Sequence, residues 1–293
     1  MGNIEDKLKA FKKMIEDAIV RGGAEEKNKV IKSSKPINLI HEAVKCELIK
    51  QGVDPDLISP KVGESAKEIK IAGHVKQKKQ DVCVKPRNLK EENKTIDWGP
   101  LSCLKAKDEY GYEYSKQIMV INVRSQSSSL AKNFDTLFER TMAEAQNLHV
   151  RYPEMVLGEV YLIPVYAYDN EKAKAKTVGF EEKQANLEKY ISFFSAINGR
   201  TLSKKGGVRG ELENTKNAYL YEKCALLIVD FNKDNPKLYK DSAALKEDKL
   251  ISDSFSIEYA DIGFERFAKD MVEIYCERFD KNNILVNKEK AEE

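Results

Sequence analysis

The chain has 293 residues, of which 41% are hydrophobic and 33% charged, and its 50 Lys and Arg nearly balance its 48 Asp and Glu. This composition predicts a globular protein with a full hydrophobic core and excludes the disordered class, which is poor in apolar residues. The start lacks an apolar signal core and no segment approaches the ~18 apolar residues of a membrane span, so we expect a cytoplasmic protein.

The N-terminal part is predicted to be helical. An apolar stripe predicts a first helix from Ile4 to Val20, ended by Gly22-Gly23, and a similar stripe predicts a second from about Ile37 to Lys50. The helical pattern returns from Val62 to Ala72. We therefore expect a helical N-terminal portion, residues 1–60, that packs on the remainder of the chain.

Two strands are predicted in the next part of the chain. Gln80 to Val84 alternates polar and apolar residues, as a strand does. Gln117 to Ile121 is a short apolar run with β-branched residues, which is typical of a strand buried on both faces. It ends in the polar run Asn122 to Gln126, directly before the next predicted helix.

A strand–helix–strand unit, Gln117 to Asp169, indicates the fold class. A helix from about Leu130 to His149, capped by Ser127 to Ser129, leads into a hydrophobic strand from Val156 to Val165. This order is the signature of a βαβ crossover, which pairs its two strands in parallel. The sequence therefore predicts an α/β protein.

The remaining elements and the absence of linkers indicate one domain. A helix from Asn186 to Ile197, a strand within Tyr219 to Phe231 and a closing helix from Phe264 to Phe279 follow in order. Because no internal repeat or low-complexity linker is evident, we expect an α/β core with its C-terminal helix over residues 61–285 and a frayed tail over 286–293. A domain boundary near Lys61 is the alternative.

Standard catalytic motifs are missing from the sequence. It has no glycine-rich phosphate loop, no G-x-S-x-G and no H-E-x-x-H, only three histidines, and five cysteines without C-x-x-C spacing. The remaining candidates for a catalytic site are Asp81 and the polar run after Ile121. If their strands are neighbours that end together, an aspartate there can hold a divalent metal against a phosphate. The open alternative is a solvent-facing Asp81 and an ordinary capped loop.

Two basic segments are candidates for phosphate contact. The segment from Lys67 to Lys90 contains eight basic and two acidic residues. This segment predicts a phosphate-facing edge or, alternatively, a solvated loop. Arg200 to Gly210 combines glycines with basic side chains, and it predicts a loop that enters a DNA groove or a flexible surface loop. The candidate DNA-binding residues are Lys76, Lys78, Lys79, Lys204, Lys205 and Arg209.

The order of these elements resembles that of the PD-(D/E)XK nucleases, and of type II restriction endonucleases in particular. The resemblance covers about residues 64–169 and rests on Gln80-Asp81-Val82-Cys83-Val84, on Asn122-Val123-Arg124, and on the helix and strand that follow. It implies a mixed central sheet flanked by helices, and Mg²⁺-dependent cleavage of double-stranded DNA that leaves 5′ phosphates. It also implies a homodimer on a palindromic site and a DNA methyltransferase encoded nearby.

The second half of the family motif is altered in this chain. Asp81 matches the metal-binding aspartate, but Asn122 stands at the position of the second acid and Arg124 at that of the lysine. An amide oxygen can coordinate a hard cation but brings no charge. An arginine can stabilise developing phosphate charge but cannot deprotonate water near neutral pH.

Several residues are candidates to complete the site. Asp135 or Glu139 on the next helix, or Glu64 or Glu68 before the first strand, would supply the missing carboxylate, and Gln126 would position the attacking water. If no acid reaches the aspartate, we expect a DNA-binding protein without cleavage activity. The further alternative is an interaction protein in which the βαβ unit is ordinary core.

Overall fold

The computed structural model describes residues 3–65, 68–126 and 134–286. In these ranges a six-stranded sheet carries a hydrophobic core on each face, and helices cover both faces. The predicted α/β class, with a mixed central sheet and an N-terminal helical portion, is therefore confirmed. The predictions for the Ser127–Ser129 cap, for the start of the following helix and for the tail from Asn287 lie outside the described residues.

Helices and strands are numbered here in chain order. The helices are α1 Ile4–Lys32, α2 Lys35–Lys50, α3 Pro100–Cys103, α4 Tyr112–Ser115, α5 Phe134–His149, α6 Asn170–Lys174, α7 Leu187–Ile197, α8 Gly207–Lys216, α9 Ser242–Glu247 and α10 Phe264–Arg278. The strands are β1 Ile58–Ser59, β2 Lys70–Ala72, β3 Gln77–Lys79, β4 Val82–Val84, β5 Lys94–Thr95, β6 Lys107–Asp108, β7 Met119–Ser125, β8 Leu157–Pro164, β9 Tyr166–Tyr168, β10 Phe180–Gln184, β11 Lys223–Asp230 and β12 Lys237–Leu238.

The central sheet is mixed, with the order β1-β4-β7-β8-β11-β12. The inner pairs β7–β8 and β8–β11 are parallel, whereas β1–β4, β4–β7 and β11–β12 are antiparallel. The parallel pair β7–β8, joined through α5, is the predicted βαβ unit. Three further two-stranded pairs lie outside this sheet: β2–β3, β5–β6 and β9–β10.

Alternation along β7 decides which side chains face which layer. Met119, Ile121 and Val123 pack into the core beneath α1, α2 and α10. Val120 packs into the opposite core, which α5 and α7 cover. Because side chains alternate along a strand, Asn122 and Arg124 project to the α5 side. The polar residues of β7 are therefore enclosed between the sheet and α5.

The helix predicted over Val62–Ala72 is wrong. The chain is irregular before Lys70 in the described residues and then forms the β2–β3 hairpin. Gly63 has φ +81°, which interrupts a helix at its start. Ile69 and Ile71 are both buried in the α5-side core, which is the period of two of a strand rather than helical spacing.

The first helix extends farther than predicted, because it resumes after Gly22-Gly23. Gly23 has φ +65°, so the two glycines kink α1 rather than end it. A Cβ at Gly23 would lie 2.9 Å from the Ala173 carbonyl oxygen, so glycine also permits the close approach of α6. No helix in the described ranges has the length and apolar content needed to cross a membrane.

Candidate functional site

Three polar residues lie side by side at β4, β7 and β8. The antiparallel pairing of β4 with β7 ends at Val82 and Ile121, so Asp81, immediately before β4, and Asn122 are the next residues beyond this pair. The parallel register pairs Asn122 with Glu159, and directly opposed residues on neighbouring strands point to the same face of a sheet. Asn122 and Glu159 therefore share the face that α5 covers. We call Asp81, Asn122 and Glu159 the polar row.

Asp81 is the most accessible member of the polar row. It is half-buried immediately before β4, and its Oδ2 accepts a hydrogen bond from the Val123 N–H at 2.8 Å. This bond fixes the carboxylate against the end of β7. Burial, followed by the nearby negative charge of Asp81, raises the pKa of Glu68. Of the acids considered as replacements, Glu68 therefore lies near Asp81.

Unpaired polar atoms are concentrated around the polar row. Asn122 is 1% and Glu159 0% exposed, yet the Asn122 Nδ2 and the Glu159 Oε2 have no hydrogen-bond partner within the described ranges. The same holds for Gln80 Oε1 and for Nε2 of the buried His41. Burial lowers the pKa of His41, and the negative charge of Asp81 opposes this shift. Such groups cost about 1–3 kcal/mol each. Four of the eight such atoms in the described residues lie in or next to the polar row, which makes this part of the sheet a candidate site.

Arg124 lies beside the polar row in a charge-balanced network. Its Nη1 donates to Glu159 Oε1 at 2.7 Å and to Thr141 Oγ1 at 3.3 Å, and its Nη2 forms an ion pair with Glu144. Glu144 also forms an ion pair with Lys78. Two carboxylates and two cations thus alternate in the order Glu159, Arg124, Glu144 and Lys78. We call these four residues the Arg124 network.

Burial controls the ionisation of this network. Burial raises the pKa of Glu159, and the charges of Glu144 and Asp81 act in the same direction while Arg124 opposes them. Burial disfavours the charge of Arg124, but Glu159 and Glu144 outweigh it and raise the pKa of the guanidinium. Arg124 is therefore always charged, and Glu159 is the member whose charge depends on its surroundings.

The structure does not bring three of the proposed replacement acids to the polar row. Glu64 is exposed in the irregular segment before β2, and Asp135 and Glu139 lie on the exposed face of α5. The buried face of that helix carries Leu137, Thr141 and Glu144, as the helical period requires. Glu144 is thus the acid of α5 that reaches Arg124.

Gln126 lies beyond the polar row, at the end of β7. It is 6% exposed, and its Oε1 accepts a hydrogen bond from the Tyr161 hydroxyl at 2.5 Å. Its backbone N–H donates to the Leu162 carbonyl at 2.9 Å, which extends the β7–β8 pairing by one residue. Gln126 therefore holds the strand end, and the structure does not place it beside Asp81.

The first basic segment forms the β2–β3 hairpin and the strand after it. Lys76 and Lys79 are exposed, and Lys79 is paired across the hairpin with Lys70. Lys78 differs from them because its ammonium group binds Glu144 in the Arg124 network. Of the three predicted phosphate contacts in this segment, Lys76 and Lys79 present their charge at the surface.

The second basic segment is partly helical rather than a flexible loop. Helix α8 begins at Gly207, which places Arg209 in its exposed first turn. Lys204 and Lys205 are exposed, and Lys205 Nζ lies 3.7 Å from Glu213 Oε2. Arg200 is not part of this surface, because it is 2% exposed and pairs with Glu222.

A second buried ion network lies at the amino ends of β8 and β11. Glu222 Oε1 accepts from Arg200 at 2.9 Å and from Arg278 at 2.8 Å, and its Oε2 lies 3.2 Å from His149 Nε2. His149 ends α5, as the helix prediction placed it, but it is buried in this network. The network joins α5, β11 and α10 and is structural.

The Glu222 network predicts a pH dependence of stability. Burial would raise the pKa of Glu222, but His149, Arg278 and Arg200 outweigh it and lower the pKa from 4.5 to about 2. Because the folded pKa is the lower one, this stabilisation is complete above pH 4.5 and is lost as the pH falls toward 2, by about 3 kcal/mol. Urea unfolding between pH 7 and 2.5 should show a smaller loss for Glu222→Gln than for wild type. The exposed variant Glu273→Gln is the control and should lose as much stability as wild type does. If Glu222→Gln loses as much stability as these two proteins, this assignment is contradicted.

Two residues of the site were not predicted from the sequence. Glu159 is an acid inside an otherwise apolar strand, and this isolated charge was the available signal. Glu144 follows Thr141 on the apolar stripe of α5, so its position on the buried face was readable from the helical period. Both lie outside the N-terminal half of α5 and the segment before Asp81, the two places where the sequence predicts the missing carboxylate.

The donor set of the polar row suits a hard cation. The described residues contain no group of three or more His, Cys, Asp or Glu side chains placed to hold a metal ion. The row offers two carboxylates and one amide oxygen. Mg²⁺ commonly uses one or two carboxylates and keeps several waters, whereas a structural zinc site needs four protein ligands. These oxygen donors are of the type that Mg²⁺ uses, and they are too few for a closed protein cage.

Comparison with known proteins found no match for this chain. No protein-family model matches it, and neither the curated proteins nor the solved structures contain a significant match.

Proposed function

We propose that this chain is a Mg²⁺-dependent endonuclease that cleaves double-stranded DNA, with the polar row as its metal site. The observation that carries the proposal is the pairing of Asn122 with Glu159 on one sheet face, with Asp81 immediately before β4 and Arg124 bound to Glu159. Carboxylates that hold a metal, next to a cation for phosphate, are what metal-assisted phosphodiester hydrolysis requires.

The order of elements supports the same proposal. The strand after Asp81, the strand with Asn122 and Arg124, the long α5 and the parallel β8 occur in the order on which the resemblance to PD-(D/E)XK nucleases rests. The mixed sheet is the kind that the resemblance implies. A type II restriction endonuclease is therefore the form of nuclease that we propose.

Glu159 is the proposed substitute for the acid missing at Asn122. It lies directly opposite Asn122 in the parallel pair, one strand away, where neighbouring strands are about 4.8 Å apart. Its Oε2 makes no hydrogen bond to the described residues, so it remains available to a cation. In this proposal the second carboxylate has moved from β7 to the adjacent strand.

Each residue of the site has its own role in the proposed hydrolysis. Asp81 and Glu159 would hold Mg²⁺, with the Asn122 amide oxygen as a neutral donor. Bound there, Mg²⁺ would neutralise phosphate charge and lower the pKa of its water. Arg124 would stabilise the charge that develops on the phosphate, and Lys78 would compensate Glu144 when Arg124 turns to the DNA. The products would carry 5′ phosphates.

Surface residues and partners complete the proposal. Lys76 and Lys79 on the hairpin, and Lys204, Lys205 and Arg209 near α8, are exposed cations that would contact DNA phosphates or bases. We expect a cytoplasmic homodimer that acts on a palindromic site. Its gene would lie beside that of a DNA methyltransferase, because an unprotected host would be cut.

The Arg124 network favours a second candidate function. Arg124 is bound by both Glu159 and Glu144, so the charge that hydrolysis needs is already neutralised within the protein. If these bonds persist on DNA, the network is structural and the chain binds DNA without cleaving it.

Incubation with phage DNA separates the two candidates. We expect discrete fragments from unmethylated phage DNA with Mg²⁺ and none when EDTA replaces Mg²⁺, because the carboxylates need the cation to act on phosphate. Gel electrophoresis and end-labelling would report the fragments and their 5′ phosphates. DNA that is retarded but uncut would favour the second candidate, and DNA neither bound nor cut would refute both.

A further inference from the structure

A cavity of about 630 Å³ lies at the carboxyl end of β7, next to the Arg124 network. Its walls come from the junction of α1 and α2, from the end of β7 and from the first turns of α5. A cavity of this size accommodates a small ligand or one unit of a chain molecule. It does not include Asp81, Asn122 or Glu159, so it is separate from the polar row.

The charges on the cavity wall are all positive. Among the described residues, Lys32, Arg124 and Arg140 line the cavity and no Asp or Glu does. Lys32 and Arg140 are exposed and have no ion-pair partner among the residues that the structure describes. The charge of Arg124 is balanced by Glu159 and Glu144, so Lys32 and Arg140 supply the net positive charge, which favours an anion.

The N-terminus of α2 reinforces this preference. This 16-residue helix reaches the cavity through Ser34 and Pro36, and Ser34 forms no side-chain capping bond. Pro36 has no N–H and the Lys35 N–H donates to the Ser33 hydroxyl at 3.4 Å, so the helix contributes mainly its partial positive charge. Ser125 and Thr136 also line the cavity. The two cations and the positive end of the helix together suit a phosphate.

We propose that this cavity is a phosphate-binding site, with Lys32 and Arg140 as its main ligands. The ligand is a phosphate group, either on a nucleic-acid strand or on a free small molecule. Arg124 forms one wall of the cavity while it binds Glu159 and Glu144, so a bound phosphate would lie next to the polar row without occupying it. This inference depends on the cavity residues alone and does not require nuclease activity.

The test is phosphate binding measured without Mg²⁺. Isothermal titration calorimetry with inorganic phosphate in EDTA compares wild type with Lys32→Gln/Arg140→Gln and with Lys9→Gln/Arg266→Gln. The last variant removes the same charge from exposed positions on α1 and α10, outside the cavity. We expect the cavity variant to bind phosphate at least about tenfold more weakly and the control variant to bind as wild type does. All four substituted residues are exposed, so circular dichroism should show three folded proteins.

Competition identifies the source of the phosphate. A short oligonucleotide with a 5′ phosphate that displaces inorganic phosphate, while its unphosphorylated form does so less, would assign the site to a nucleic-acid strand. If neither oligonucleotide displaces inorganic phosphate, the site binds a free phosphate. Either of these two results supports the inference. Absence of phosphate binding by wild type, or equal weakening in the cavity and control variants, would overturn it.

Discussion

Replacing Asp81 with Asn should reduce Mg²⁺-dependent DNA cleavage by at least about 100-fold without unfolding the protein. The substitution removes the most accessible carboxylate of the polar row. An asparagine amide oxygen can still accept the 2.8 Å hydrogen bond from the Val123 N–H, so the local backbone should be retained. Rates measured on phage DNA, with circular dichroism of both proteins, test this expectation.

A matched substitution controls for the loss of a carboxylate as such. Glu273 is an exposed acid on α10, on the other side of the sheet, and pairs only with Lys269 at 3.6 Å among the described residues. Glu273→Gln should cleave at the wild-type rate. If Asp81→Asn also cleaves at that rate, Asp81 is not a metal ligand and the proposed site is wrong.

Replacing Arg124 with Met should destabilise the protein by about 3–5 kcal/mol, because it leaves a buried pair of carboxylates without its central cation. Glu159 is 0% and Glu144 7% exposed, and in the part of the chain that the structure describes Lys78 pairs with Glu144 and not with Glu159. The pKa of Glu159 is already raised by burial and would rise further. The loss should therefore be largest at alkaline pH and smaller where Glu159 takes up a proton.

Urea unfolding at several pH values measures this effect. Arg266→Met removes a surface arginine whose ion pair with Asp270 spans 3.5 Å, and it should have little effect on stability. Equal unfolding free energies for the two variants would show that the Arg124 network contributes no more than a surface pair. Cleavage by Arg124→Met should also fall, since the phosphate loses its cation.

Local patterns in the sequence predicted most of the central fold. The apolar run before Asn122 gave β7, and the apolar stripe before His149 gave α5, since each pattern reports directly which side chains are buried. The parallel pairing of β7 and β8 followed from their connection through a helix. The helix prediction before Lys70 failed because Ala66, Ile69 and Ala72 have helical spacing in the sequence, as do Glu64 and Glu68, whereas the chain from Lys70 onward forms a hairpin.

The site was predictable only in part, because it depends on register. Asp81 and Arg124 were identified from their places beside predicted strands. The nearness of Glu159 to Asn122 depends on the alignment of β8 with β7, which no local pattern in either strand states. The binding of Glu144 to Arg124 likewise depends on how α5 is rotated over the sheet.

The measurement that tests the central claim most directly is divalent-metal binding at the polar row. Electron paramagnetic resonance with Mn²⁺ in place of Mg²⁺ should detect bound metal in wild type and in Glu273→Gln. It should detect at least about tenfold weaker binding in Asp81→Asn and in Glu159→Gln, because each loses one of the two carboxylates. Mn²⁺ binding that is unchanged by both substitutions would contradict the assignment of Asp81 and Glu159 as a metal site.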